Sequence, residues 1–119
     1  MIESIDEYVI KPEYRARFEL TFGPGGAWDH MFSRCEGYRG TTVLRDTETP
    51  ERFLVVNLWD SVEHRDKALK KHEEALSHVR TDLNAWTESE MYQGVFTVLV
   101  KAIVRPRHFS RQSSKERRY

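Results

Sequence analysis

Residues 52–59 read Arg-Phe-Leu-Val-Val-Asn-Leu-Trp, a run of β-branched and aromatic side chains bounded by the polar stretch 46–51 and by Asp60-Ser61. Strand alternation places Phe53, Val55, Asn57 and Trp59 on one face and Leu54, Val56 and Leu58 on the other, so both faces need cover. The whole chain has 119 residues, about one domain. With 39% apolar and 32% charged residues its core is lean, and a partner chain is expected to help complete it.

The flanking patterns set the remaining elements. Ile2–Ile10 is rich in Ile, Val and Tyr and ends at Lys11-Pro12, which predicts a strand entering a helix. Tyr14, Phe18 and Phe22 recur every fourth residue, an amphipathic helix stopped by Gly23-Pro24-Gly25-Gly26. Ala27, Trp28, Met31, Phe32 and Cys35 resume a helical spacing before Gly37. Residues 41–45 form a second β-rich run, joined to the 52–59 run by the polar loop. A long helix follows, capped by Asp60, with Glu63 three residues on, or by Ser61. Its seam is Val62, Leu69, Leu76 and Leu83, interleaved with Arg65, His72, Val79 and Trp86, and is long enough to break into two helices. Residues 91–104 predict a last strand, longer than usual and able to reach another subunit.

The order β, α, β, β, α, β is the split βαβ pattern, an α+β, ferredoxin-like antiparallel sheet with helices on one face. A sheet whose second face is also apolar finds its simplest cover in a second copy, a homodimer. Residues 1–104 are read as this domain. Residues 105–119 carry Arg105, Arg107, Arg111, Lys115, Arg117 and Arg118 against Glu116, and read as a solvated, mobile basic tail rather than a nucleic-acid arm. No run reaches membrane-spanning length and the acidic start at residues 1–7 lacks an export signal, so a cytoplasmic location is expected. The one cysteine, Cys35, rules out an internal disulfide. His64, His72 and His78 lack the i, i+4 spacing of paired helix ligands, so no metal is expected. The glycine-rich stretch follows a helix rather than a strand, which argues against a nucleotide cofactor.

Three segments, 22–28 (Phe-Gly-Pro-Gly-Gly-Ala-Trp), 36–41 (Glu-Gly-Tyr-Arg-Gly-Thr) and 53–61, resemble the antibiotic biosynthesis monooxygenase domain family over about residues 2–98. The resemblance implies a dimeric α/β barrel with a small pocket between sheet and helices in each subunit. It also implies oxidation of a planar phenol, quinol or polyketide-like molecule by dioxygen, with no bound cofactor. Members that act on quinols are expected to have an Asn four residues before the strand Trp and a Tyr six after it; those positions here are Val55 and Arg65, with Asn57 displaced by two. Haem-degrading relatives resemble one another in a first-strand Asn, a helical Trp and a histidine ligand; counting from Trp59 gives Asp6, Ala68 and His78.

The candidate catalytic residues are Asn57, Trp59 and His72. An amide can hold an oxyanion or peroxide, an indole wall excludes water, and an imidazole can take a phenolic proton. Trp28, Phe32, Tyr38 and Trp86 are candidate walls for a planar ring, and Arg45 a partner for a phenolate or carboxylate. The alternative function is a non-catalytic small-molecule-binding or interaction module on the same scaffold; haem degradation is a minor alternative.

Overall fold

The computed structural model describes residues 1–102. Strand β1 (Ile2–Ile10) leads through a 3-10 turn (Pro12–Tyr14) into α1 (Arg15–Phe22) and α2 (Ala27–Phe32). Then come β2 (Tyr38–Arg45), β3 (Arg52–Trp59), α3 (Val62–Lys71), α4 (Glu73–Trp86) and β4 (Thr87–Thr97). The strands form one antiparallel sheet in the order β2-β3-β1-β4, the ferredoxin-like arrangement that the sequence pattern predicts. No helix among the described residues is long and apolar enough to cross a membrane.

Several boundaries differ from expectation. β2 begins at Tyr38 rather than at 41, because Tyr38 already pairs with Trp59 across an irregularity near Gly40. β4 starts at Thr87, directly after α4, and ends at Thr97 rather than continuing to 104. Its template runs out there: Thr97 pairs with Ile2, and Val98 N–H bonds only to the Met1 carbonyl. The domain end at 104 and the basic tail lie outside the described residues. The long helix does break, at His72. Its cap is Ser61, whose Oγ accepts the His64 N–H at 3.2 Å. Asp60 instead binds the Arg39 guanidinium at 2.7 and 3.1 Å.

Every second residue of β3, from Phe53 to Trp59, is buried against the helices. Phe18 is fully buried and meets both Tyr8 (ring centroids 5.5 Å apart) and Phe53 (4.8 Å), so α1 anchors on two neighbouring strands at once. Ala68, Leu76, Val79 and Leu83 seal α3 and α4 onto the same core. On the opposite face Leu54, Val56 and Leu58 remain only half-buried, and Leu44, Met91 and Phe96 are exposed. Across that face Arg52 bridges Glu7 (3.0 Å) and Asp46 (2.9 Å).

The turn between α1 and α2 decides where α2 sits. Gly25 adopts a left-handed φ of 79°, which costs a glycine nothing. Gly26 is needed for a different reason: a Cβ there would be driven into the Leu20 carbonyl oxygen and lie 2.7 Å from that of Thr21. The start of α2 is thus pressed onto the last turn of α1. Gly26→Ala should lower the unfolding free energy by about 1–3 kcal/mol through overpacking and shift α2. Chemical denaturation read by tryptophan fluorescence checks this, and an unchanged midpoint would contradict the close approach.

Candidate functional site

Asn57 sits near the C-terminal end of β3 on the helix side, only 3% exposed, inside an aromatic core. Its Oδ1 accepts the Trp28 indole N–H at 2.9 Å and the Thr41 hydroxyl at 2.6 Å. An indole nitrogen only donates, so Trp28 fixes the amide with oxygen toward α2 and β2. Thr41, opposite Asn57 in the β2–β3 register, gives its proton to Asn57 and accepts the Tyr38 hydroxyl. The direction of the whole relay, from Tyr38 through Thr41 to Asn57, follows from one indole. Burial pushes the Tyr38 phenol above its ordinary range; the Thr41 bond opposes this and the charge of Asp29 adds to it. Tyr38 therefore stays protonated at neutral pH.

Phe32, fully buried, gathers the rings. Its centroid lies 4.8 Å from Trp28, 5.7 Å from Trp59 and 6.2 Å from Tyr38, and Tyr38 packs edge-on against Trp59 at 5.1 Å. The fold thus brings together Asn57 and Trp59 of β3, Trp28 and Phe32 of α2 and Tyr38 of β2, three separate elements. His72 lies at the α3–α4 junction and meets the far side of this group only through the edge of Phe32, at 5.7 Å.

Arg45 and Trp86 stand apart. Arg45 lines an open cleft of about 530 Å³ between the α1–α2 turn and β2, with Glu19, Phe22, Pro24, Thr41, Val43 and Phe53. Thr41 links that cleft to the Asn57 relay. Trp86 stacks on Tyr14 at 6.2 Å at the opposite end of the helix layer. A second cleft, about 420 Å³, lies between residues 34–36 and α3 and is lined by His64, Lys67 and Lys71 among others. Among the described residues no group of three His, Cys, Asp or Glu side chains is placed to hold a metal. The haem-relative positions do not make a haem pocket: Ala68 is sealed in the core and His78 is exposed on α4.

Thr41 is the participant that sequence reasoning missed. Only its register opposite Asn57 marks it, and register is a property of the paired strands. The same register sets Val55 opposite Asp6, two positions that separate counts along the sequence single out.

A family model described as antibiotic biosynthesis monooxygenase matches residues 1–97. The chain belongs to that family. Among solved structures, this family member is similar to SnoaB, a cofactor-independent oxygenase from Streptomyces nogalater. The two share 19% identity at a TM-score of 0.63, over 84% of this chain and 94% of that one. It is also similar to a conserved protein from Methanosarcina mazei Go1, with 14% identity and a TM-score of 0.62 over 80% and 89% of the two chains. At such identities the likeness speaks for the fold. No curated protein matches.

Asn57→Leu in this family member leaves the Trp28 and Thr41 donors without their acceptor and should cost about 1–3 kcal/mol of stability. A double-mutant cycle with Trp28→Phe, followed by denaturation, should return a coupling of about 1 kcal/mol; additive effects would show that the indole–amide bond contributes nothing.

Proposed function

We propose that this chain is a cofactor-independent monooxygenase that oxidises a planar phenol, quinol or polyketide-like small molecule with dioxygen, working as a homodimer. The observation that carries the reading is the Asn57 amide: its oxygen is saturated by Trp28 and Thr41, while its Nδ2 donors have no partner among the described residues. The two branches of an amide diverge, so those donors point away from both Trp28 and Thr41. Donors held rigidly in a dry, aromatic surrounding can stabilise negative charge developing on a substrate oxygen or a peroxide. Trp59, Trp28 and Phe32 supply an apolar wall that keeps water from competing.

Chemically, loss of the hydroxyl proton makes the ring electron-rich enough to pass one electron to dioxygen, which a neutral phenol resists. His72 is the base named from sequence. It reaches the Asn57 group only through Phe32, so its support is weaker than that of the amide. Oxygen uptake on a panel of anthrones and quinols is the direct test, with Asn57→Ala expected to slow it by roughly tenfold or more. Unchanged uptake in that variant would remove the assigned role.

A non-catalytic binding or interaction module is the second reading, favoured by how full the interior is. Phe18 and Leu76 fill the helix–sheet space, and neither Asn57 nor His72 lines the two clefts described above. Absence of uptake with every substrate would put this reading first.

Dimerisation is supported by the uncovered sheet face, where exposed Leu44 lies opposite Leu54, Val56 and Leu58 continue the apolar surface, and exposed Phe96 stands on the same face of β4. Val56→Glu should convert a dimer to a folded monomer in sedimentation velocity; a wild-type monomer at micromolar concentration would end the proposal.

A further inference from the structure

Asp6 is an acid on the wrong side of the sheet for solvation. It alternates with buried Ser4 and Tyr8 along β1, which directs it toward the helices, with Val55 opposite on β3 and Tyr92 opposite on β4. Residues at such a place are ordinarily apolar. No hydrogen bond reaches its carboxylate from any described residue; Arg65 of α3 acts on it through charge alone and donates through Nη1 to Asp66, at 3.3 Å. The groups that face Asp6 are Arg65, Arg80 of α4, Glu90 of β4 and the Tyr8 phenol. Burial, then repulsion from Glu90, push the carboxyl above its ordinary range, and Arg65 and Arg80 pull it back only in part.

Asp6 is not alone. Ser4 and Asn57 lie directly opposite one another in the β1–β3 register, 4% and 3% exposed, and Asp6 is diagonal to Asn57. Neither Ser4 Oγ nor Asn57 Nδ2 has a hydrogen-bond partner among the described residues. Folded proteins leave few buried polar groups unpaired, and here two buried neighbours share that condition beside the half-buried, unbonded carboxylate of Asp6. Their chemistry is complementary to one substrate atom: an acceptor for a hydroxyl proton, and two donors for the oxygen that loses it. Exposed Glu90 and Tyr92 show that the helices leave the β4 side of this row open.

We propose that Asp6 is the proton acceptor for the substrate hydroxyl, with Asn57 Nδ2 and Ser4 Oγ holding the phenolate oxygen and Arg65 and Arg80 compensating its charge. This deepens the proposed monooxygenase function and rests on its substrate class. The phenol O–H bond breaks, an O–H bond forms on the Asp6 carboxylate, and the electron pair stays on the phenolate oxygen. A carboxylate raised by burial is a stronger base than a solvated one, which narrows the gap to a phenol near 10.

The experiment uses 1,2-dihydroxyanthraquinone, a flat ring whose visible absorption separates phenol from phenolate. Below the free dye's titration midpoint, the wild-type protein should bind it as phenolate. Asp6→Asn should still bind the dye but lose the phenolate band, and Arg65→Gln and Arg80→Gln should each weaken binding. Asp6→Asn should also melt at a higher temperature, since it removes a half-buried charge without a hydrogen-bond partner; a lower melting temperature would point to a structural role and overturn the proposal. A phenolate band that survives in Asp6→Asn overturns it too, and leaves the monooxygenase reading standing if quinol-driven oxygen uptake persists. Failure of the wild-type protein to bind the dye or to take up oxygen with quinols removes both.

Discussion

An amide oxygen buried among aromatic rings needs a donor, and at Asn57 the indole of Trp28 and the hydroxyl of Thr41 supply two, while the Nδ2 donors have no partner among the described residues. The indole bond joins the C-terminal end of β3 to α2, two elements that the chain separates by a loop, β2 and the hairpin turn. It fixes which way the amide faces, and through Thr41 it fixes the proton direction at Tyr38 as well. α2 can present Trp28 at that place because Gly26 lets it close onto the end of α1. A backbone contact in a turn is in this way connected to the orientation of a side chain in the centre of the sheet.

The two faces of the sheet do different work. Helices cover one, and their side chains fill it with Phe18, Phe32, Leu76 and Leu83. The other keeps Leu54, Val56 and Leu58 at half exposure, with the Glu7–Arg52–Asp46 bridge lying across it. A second copy that covered this face would leave the helix side free for small-molecule chemistry. On the helix side, Thr41, Asn57, Ser4 and Asp6 form a row of polar side chains across three adjacent strands. Holding Asp6 there costs stability, a cost commonly found where function requires a buried charge.

Legibility followed the range of the signal. The alternation of β3 and the fourfold spacing of Phe18 and Phe22 are local, and both elements and their buried faces were readable. The Ser61 cap could not be separated from Asp60 because both residue types cap helices; Arg39, distant in sequence, claims Asp60. The end of β4 at Thr97 was invisible to composition, since residues 98–100 remain apolar, and it is set by where β1 begins. At the site, Asn57, Trp59, Trp28, Phe32 and Tyr38 were named and do converge, whereas Trp86 shares the helical seam yet ends beside Tyr14.

By itself the sequence determined the order of elements, the ferredoxin-like sheet and the existence of a second apolar face, because each follows from periodicity within a few residues. Only the tertiary structure decided which polar groups meet. The pairing of Thr41 and Ser4 with Asn57, and the exposure of Asp6 to Arg65 and Arg80, depend on strand register and on the approach of α3 and α4. Those are long-range quantities: a shift of one residue in either strand would turn the same side chains to the opposite face.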